Sequence, residues 1–231
     1  MNIGMADFPF DIVGFDLDGT LLDTSGDLTA AVNHTLALAG KPLLSVEEVK
    51  PMIGGGAKMM LEHGLKATGG IAEEEFRPLY RAMMAYYTEN ISVHTRPFPG
   101  AVALLDQLDA MGVRYGVVTN KFESLAKQAL GDLGLLDRMV AVIGVDTLGK
   151  ERAKPKGDTI IELIARCQVL GSGPRTVFIG DSIYDTMAAK DAGVPSVACA
   201  FGFLMHSLKE MNADAVIVHF DELVGVLRGM G

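Results

Sequence analysis

The sequence has little cysteine, and this restricts the kinds of site and compartment that the chain suits. Only two cysteines occur in 231 residues. Neither Cys167 nor Cys199 belongs to a CxxC motif or has a histidine nearby at zinc-ligand spacing. The five histidines are scattered and form no metal-binding pair, so none receives a catalytic role. We therefore predict two buried free thiols rather than a disulfide framework or a zinc centre.

Positive charge and long apolar runs are also scarce. Acidic residues outnumber basic ones by 29 to 20, and the net charge of −9 disfavours nucleic acid and anionic membranes as partners. No apolar run approaches the roughly 18 residues of a membrane span, and residues 1–10 lack the order of a signal peptide. Apolar residues nevertheless make up 49% of the chain, enough for a large core. We expect a cytoplasmic globular protein, a monomer or homodimer, that meets any anionic substrate with local positive charge.

The apolar pattern changes twice along the chain. Short buried-strand patterns alternate with helical ones at the start and over the second half, which predicts a parallel sheet with helices on both faces. The strands are predicted at 11–15, 113–119, 140–145, 176–180, 196–199 and 215–218, and the helices at 101–111, 122–133, 158–169 and 185–192. Residues 23–94 have helical patterns throughout.

This pattern predicts an α/β fold in which a Rossmann-like parallel sheet carries an inserted helical cap. The core domain would comprise residues 1–22 and 95–231, and the cap domain residues 23–94. The insertion leaves the core directly after the first strand, so it should lie over the carboxyl ends of the strands. Open α/β sheets bind their ligands at that edge.

Two aspartates follow the first predicted strand. Asp16 and Asp18 are two residues apart, so in extended backbone their side chains point the same way. Gly19 permits a tight turn after them, and Thr20 adds a hydroxyl. Like charges at the mouth of a buried sheet need a counter-charge, and a divalent cation supplies one. The alternative is a strand-to-helix turn in which the acids are incidental.

Three later segments place polar groups at the same edge. Thr119 and Asn120 end the second strand, where they could donate to phosphoryl oxygens or simply cap a helix. Pro155 favours an extended conformation at Lys154, although the neighbouring Lys156 leaves the choice of lysine open.

The last of these segments is acidic. Asp181 follows the strand at 176–180, and Asp185 lies four residues later at a helix start. Each alone could be a helix cap. Together with Asp16 and Asp18 they form the oxygen-rich set that suits Mg²⁺.

These segments carry a family resemblance that covers essentially the whole chain. The run from Asp16 to Leu21 resembles the first motif of the haloacid dehalogenase superfamily of phosphohydrolases. Thr119-Asn120-Lys121, Lys154-Pro155 and the run from Gly180 to Asp185 resemble its second, third and fourth motifs, in the same order. The chain departs from many relatives at Lys156–Asp158, which replaces a proline-rich continuation, and at Ile183-Tyr184, which replaces Arg-Asn.

The resemblance implies roles for these residues. Asp16 would be the nucleophile and Asp18 the general acid and base, while Thr119, Asn120 and Lys154 would hold and neutralise the phosphoryl group. The implied Mg²⁺ ligands are Asp16, Asp18, Asp181 and Asp185, with Asp18 contributing its backbone carbonyl. The implied substrate contacts are Gly19, Thr20, Gly55, Gly56, Lys58 and Lys121.

Within the superfamily the chain most resembles the phosphoglycolate phosphatases. The resemblance rests on Arg96–Gly100, Val117–Lys121 and the glycine run Ile53–Gly56, and it implies a small phosphate ester such as 2-phosphoglycolate as substrate. A sugar-phosphate mutase or a pyrophosphatase on the same scaffold remains an alternative, as does a non-enzymatic phospho-acceptor switch. A dehalogenase is disfavoured because it has no use for Asp18.

Overall fold

A computed structural model describes residues 8–169 and 173–231. Residues 1–7 of the predicted core segment and residues 170–172 lie outside the described part. The strands are β1 (Ile12–Phe15), β2 (Leu22–Asp23), β3 (Arg96–Pro97), β4 (Arg114–Val118), β5 (Val142–Ile143), β6 (Thr176–Gly180), β7 (Ser196–Cys199) and β8 (Ala215–Ile217). The α-helices are α1 (Ser25–Leu38), α2 (Val46–Val49), α3 (Ala57–Ala67), α4 (Glu73–Glu89), α5 (Ala101–Ala110), α6 (Glu123–Asp132), α7 (Asp158–Cys167), α8 (Ile183–Asp191), α9 (Leu208–Met211) and α10 (Leu223–Gly229). Short 3₁₀ turns occupy Lys50–Met52, Leu136–Arg138, Lys150–Arg152 and Phe220–Glu222.

The predicted parallel sheet is confirmed. Six strands pair in the order β5-β4-β1-β6-β7-β8, all parallel. Phe15 at the end of β1 lies opposite Val117 of β4 and Ile179 of β6. The three central strands therefore end at the same level, and the residues that follow them converge at one edge.

The sheet is held by apolar packing on both faces. Every residue of β1 is buried, as the continuous apolar run predicted. Ile12 and Phe178 belong to a cluster with helices α7 and α8 on one face, whereas Val13 and Phe15 join the larger cluster on the other. Burying one such side chain contributes about 1.5–3 kcal/mol. This packing holds the strand ends in place, and with them the polar residues that follow the strands.

Two predicted helix boundaries were wrong by two residues, and the other differences in the predicted helices are of one residue. Helix α8 begins at Ile183 rather than Asp185, because Ser182 and the Asp185 carboxylate form a capping box. Helix α7 ends at Cys167 rather than 169, because Gln168 adopts the left-handed conformation at φ 48°. Both cysteines are buried free thiols, as predicted.

Four helices, α1 to α4, lie between β2 and β3, which pair antiparallel with each other. This short ribbon lies where the predicted cap would join the core. The Asp27 carboxylate in α1 ties the two connections together. It accepts hydrogen bonds from the backbone N–H groups of His94 and Thr95, at 2.9 Å each, and from the Thr95 hydroxyl at 2.7 Å. Asp27 therefore fixes where the helical segment leaves and re-enters the sheet.

Among the described residues, no helix combines the length and the apolar character needed to cross a bilayer.

Candidate active site

Three buried aspartates converge at the carboxyl edge of the sheet. Asp16 follows β1, Asp181 follows β6 and Asp185 lies in the first turn of α8. One carboxylate oxygen of each lies within 4.8 Å of the others. Oxygen donors from separate elements form the kind of set that binds a hard divalent cation. The structure thus brings together three of the four predicted metal ligands.

Lys154 supplies positive charge to this cluster. Its Nζ lies 2.7 Å from Asp16 Oδ1 and 2.5 Å from Asp185 Oδ1, and its side chain is only 2% exposed. Lys156, by contrast, is exposed. The geometry therefore selects Lys154 as the lysine of the site. Asp185 is oriented further by Ser182, whose backbone N–H and hydroxyl donate to Oδ2.

One lysine does not balance three buried carboxylates. Burial raises the pKa of Asp16 to about 7, even though the Lys154 ammonium acts in the opposite direction. Burial, together with the charges of Asp16 and Asp185, also raises the pKa of Asp181 well above its usual range. The raised pKa values show that the buried carboxylates repel one another and lack enough positive charge nearby. A divalent cation bound between them would supply that charge.

This imbalance predicts a pH-dependent stability in EDTA. Between about pH 4, where an aspartate of the unfolded chain ionises, and about pH 7, the folded protein retains a proton on Asp16 that the unfolded chain has lost. Raising the pH therefore favours unfolding. We expect Tm measured in EDTA to fall from about pH 5 to about pH 8, and Mg²⁺ to suppress that fall. A Tm that is flat or rises over this range in EDTA would contradict the imbalance.

Two glycines let the chain close around Asp181. Gly19 has a left-handed φ of 88°, and a Cβ there would overlap the Asp181 carboxylate. A Cβ on Gly202 would overlap Asp181 as well. The backbone N–H of Phe203 donates to Asp181 Oδ2 at 2.6 Å, and the Thr20 hydroxyl lies 3.4 Å from Oδ1. Sequence reasoning missed Gly202 and Phe203, although they follow strand β7 at the same sheet edge.

The carboxylate of Asp18, whose backbone carbonyl is the fourth predicted metal ligand, lies outside the carboxylate cluster. Its carboxylate pairs with Lys121, whose Nζ lies 2.7 and 3.0 Å from the two oxygens. Burial alone would lower the pKa of Lys121, but the charge of Asp18 raises it, so the lysine stays an ammonium. Lys121 thus holds the Asp18 side chain away from the other acids.

A cavity of about 50 Å³ opens beside these residues. Its polar lining comprises Asp16, Asp18, Tyr87, Thr119, Asn120 and Lys121, and its apolar lining comprises Leu28, Ile53, Ala57, Met60, Met84, Phe122 and Leu125, with Gly54 and Gly56 between them. One water molecule needs roughly 10–15 Å³ of such a cavity, so this cavity suits a group only a few atoms in size. Asp16 is the residue that both lines this cavity and belongs to the carboxylate cluster.

The helical segment reaches this cavity through its glycine run. The Asn120 side-chain amide, predicted to donate to phosphoryl oxygens, donates instead to the Gly54 carbonyl at 3.1 Å. Gly56 lines the cavity, but Gly55 packs against Met59 and Tyr184 outside it. Asn120 therefore joins the sheet edge to the helical segment at the cavity rim.

Other predicted substrate contacts lie elsewhere. Lys58 is 70% exposed and pairs with Glu62 at 3.6 Å on the solvent side of α3. The buried face of that helix includes Met60, Leu61 and Leu65, so the helical phase carries Lys58 away from the cavity. Gly19 and Thr20 adjoin Asp181 and do not line the cavity.

Comparison with known proteins gives consistent matches over most of the chain. The model of the family described as haloacid dehalogenase-like hydrolase matches residues 13–199. A phosphoglycolate phosphatase of Caulobacter vibrioides is 38% identical over 209 residues, covering 90% of this chain and 86% of that protein. An N-acetylmuramic acid 6-phosphate phosphatase of Pseudomonas aeruginosa is 31% identical over 216 residues and covers 92% of each chain.

A solved structure agrees with these matches. The crystal structure of a "predicted phosphoglycolate phosphatase" from Haemophilus somnus superposes with a TM-score of 0.85 at 27% identity, over 96% of this chain and 99% of that one. Both the sheet and the inserted helices are included at that coverage. The similarity thus extends to the elements that enclose the cavity.

Proposed function

Since the chain belongs to the family of haloacid dehalogenase-like hydrolases, we propose that it is a Mg²⁺-dependent phosphomonoesterase that works through an aspartyl-phosphate on Asp16. The observation that carries this proposal is the position of Asp16. Its carboxylate contacts Lys154 within the buried acidic cluster, and the same residue lines the cavity that would hold a substrate. A nucleophile for phosphoryl transfer needs both neighbours, a source of positive charge and space for the phosphoryl group.

The first half of the reaction transfers the phosphoryl group to Asp16. A carboxylate oxygen of Asp16 attacks phosphorus, and the bond from phosphorus to the ester oxygen breaks with its electron pair remaining on that oxygen. Asp18, which holds the proton taken from water in the preceding turnover, gives it to the departing oxygen. The Lys154 ammonium offsets the negative charge on the phosphoryl group, and the Thr119 hydroxyl is available to donate to it. The products are the free alcohol and a phosphorylated Asp16.

The second half restores the enzyme. Asp18, now a carboxylate, takes a proton from a water molecule whose oxygen attacks phosphorus, and the bond to Asp16 breaks to release inorganic phosphate. Lys121 positions the Asp18 side chain for both proton transfers through its contacts of 2.7 and 3.0 Å. Asp16, Asp181 and Asp185 would hold Mg²⁺, and the bound ion would add positive charge to the site.

Replacing Asp181 by alanine tests the metal part of this proposal. The change deletes one oxygen donor and leaves Asp16 and Asp18 in place, so we expect the Mg²⁺ concentration for half-maximal activity to rise by at least about tenfold. The variant should also lose the increase of Tm that Mg²⁺ gives the wild type. Mn²⁺ should replace Mg²⁺ in the wild type, because it accepts the same oxygen donors. Full wild-type activity in EDTA would refute the metal requirement.

For the substrate we propose 2-phosphoglycolate or an ester of similar size. The cavity of about 50 Å³ has room for a two-carbon leaving group beside Asp16, and the Caulobacter vibrioides relative is named for this substrate. Access under the helices α1 to α4 favours compact phosphomonoesters over polymers. The buried free thiols Cys167 and Cys199 are consistent with a reducing compartment, and we propose the cytoplasm.

A substrate panel tests this choice. We expect kcat/KM to be highest for 2-phosphoglycolate among a set that includes hexose phosphates, nucleoside monophosphates, pyrophosphate and N-acetylmuramic acid 6-phosphate. Lys58→Ala serves as a control and should leave the ranking unchanged, because Lys58 lies on the solvent side of α3. A clear preference for another member would refute the assignment. Strict dependence on a bisphosphate activator would instead identify a mutase.

A further inference from the structure

The Lys121 side chain links the helical segment to Asp18. Its Nζ lies 2.7 and 3.0 Å from the two carboxylate oxygens of Asp18. The same ammonium lies over the Tyr87 ring, 4.8 Å from the ring centre. Asp18 and Lys121 follow strands β1 and β4, whereas Tyr87 lies near the end of α4. The sheet edge and the helical segment therefore meet at Lys121, and all three residues line the cavity.

The contact between Lys121 and Tyr87 joins a cation to a neutral ring. Burial raises the pKa of Tyr87 to about 12, so its side chain is uncharged at neutral pH. Burial alone would lower the pKa of Lys121, but Asp18 and Tyr87 raise it, so the amine stays protonated. The attraction between an ammonium and an aromatic face is strongest where water is excluded. The Lys121 side chain is 5% exposed and Tyr87 is 3% exposed, so this condition is met.

Tyr87 restrains a side chain that is otherwise held mainly at its base. The Lys121 backbone N–H donates to the Thr119 hydroxyl at 3.2 Å, and the Lys121 carbonyl accepts from the N–H of Val145 at 2.9 Å. The ammonium, however, lies at the end of a flexible four-carbon stem. Its position depends on Asp18 and on Tyr87, and the Asp18 carboxylate is itself mobile about its side-chain bonds. The Tyr87 ring therefore supplies the rigid contact.

Helix α4 holds Tyr87 in place against the sheet edge. Tyr87 belongs to the buried face of the helix. The carbonyl of Thr88, the next residue, accepts a hydrogen bond from the Gln128 side-chain amide at 3.1 Å. Gln128 lies in α6, the helix that begins two residues after Lys121. The end of α4 is thus tied to the same part of the core that carries Lys121.

We propose that Tyr87 is a positioning residue for the proton transfer: its ring holds the Lys121 ammonium, and the ammonium holds the Asp18 carboxylate at the cavity. The inference rests on the proposed phosphomonoesterase function, in which Asp18 passes a proton to the departing ester oxygen. Tyr87 would act on this step only through Lys121. Removing the ring should therefore slow the departure of a leaving group that needs a proton and spare one that does not.

Three small phosphate compounds separate these two cases. 2-Phosphoglycolate and ethyl phosphate release an alkoxide oxygen, which needs a proton as its bond to phosphorus breaks. Acetyl phosphate has a leaving group of similar size, but acetate departs with the electron pair of the broken bond and needs no proton. The kcat/KM value covers the steps up to this bond breaking, so the later hydrolysis of the aspartyl-phosphate does not enter the comparison.

For Tyr87→Leu we expect kcat/KM for 2-phosphoglycolate and for ethyl phosphate to fall by at least about tenfold, a part of the roughly 10²–10⁴-fold that a general acid contributes. Its kcat/KM for acetyl phosphate should stay within about twofold of wild type, because no proton is needed. Tyr87→Phe keeps a ring over the ammonium and should stay within about threefold of wild type on all three compounds.

A neighbouring tyrosine provides the matched control. Tyr86 lies one residue earlier on α4, where its ring stacks on His34 at 4.4 Å outside the cavity lining. Tyr86→Leu removes a ring of the same size and should leave the ratios of the three kcat/KM values unchanged. These ratios do not depend on how much of a variant is folded, so a lower Tm of Tyr87→Leu does not affect the comparison.

The other outcomes would overturn the proposal. Equal losses of Tyr87→Leu on all three compounds would show that Tyr87 is structural. A loss confined to 2-phosphoglycolate would show that Tyr87 contacts the substrate carboxylate instead of acting through Lys121. A loss in Tyr87→Phe as large as that in Tyr87→Leu would show that the ring does not hold Lys121. In each case hydrolysis by the wild type leaves the proposed function standing, which fails only if the wild type hydrolyses none of the three.

Discussion

Replacement of Asp16 by asparagine is expected to lower kcat by at least about 10⁴-fold, the scale of loss when a covalent nucleophile is removed. The amide of asparagine is a poor nucleophile toward phosphorus, and within the described part of the chain no other carboxylate both lines the cavity and contacts Lys154. Asp18 is the other carboxylate that lines the cavity, and it is paired with Lys121. The variant should be measured under saturating 2-phosphoglycolate and Mg²⁺.

The fold should survive this change. Asparagine keeps an oxygen that can accept from Lys154, and it removes one buried charge, so Tm in EDTA should be unchanged or higher than that of wild type. Asp11, at the other end of β1, offers the control, and Asp11→Asn should keep the wild-type kcat. A folded Asp16→Asn variant with a rate near that of wild type would remove Asp16 from its role.

Replacement of Lys154 by methionine is expected to damage both stability and activity. Its Nζ is the buried cation that contacts Asp16 and Asp185 at 2.7 and 2.5 Å. Removing one partner of a buried ion pair leaves uncompensated charge and costs about 3–5 kcal/mol. We expect the free energy of unfolding in EDTA to fall by about that amount, and Mg²⁺ to recover part of the loss. The kcat should fall by about 10²–10³-fold, as when a preorganised donor is removed.

Lys156 lies two residues along the chain and is exposed, which makes Lys156→Met the matched control. That variant should differ little from wild type in both stability and kcat, because an isolated surface charge contributes little. Equal effects of the two substitutions would contradict the assignment of Lys154. A destabilised Lys154→Met variant with normal kcat would confine Lys154 to a structural role.

The sheet and the aspartates at its strand ends were predictable, because both depend on patterns within short stretches of sequence. The run at β1 is apolar and short, and its residues pack on both faces of the sheet as such runs require. Asp16 and Asp181 then follow parallel strands, and parallel strands end at one edge whatever the details of packing.

Other parts of the site depend on contacts between distant segments. Sequence reasoning left Lys154 and Lys156 both open, because only the packed structure shows which amine reaches Asp16. It placed Lys58 at the substrate, whereas the phase of α3 turns that residue to solvent. Tyr87 was noted only as part of an apolar helical face, whereas the structure places it in the cavity lining beside Lys121.

The most direct test of the proposed mechanism is detection of the aspartyl-phosphate. Asp18→Asn should slow hydrolysis of the intermediate, because its amide cannot take a proton from water. We would mix that variant with 2-phosphoglycolate and Mg²⁺, quench it in acid, reduce acyl phosphates with borohydride and identify the modified peptide by mass spectrometry. The mechanism predicts reduction at Asp16 alone, dependent on substrate and absent from the Asp16→Asn, Asp18→Asn double variant. The mechanism would be contradicted if the wild type turned over the substrate while this experiment showed no modification of Asp16. Modification of a different residue would contradict it as well.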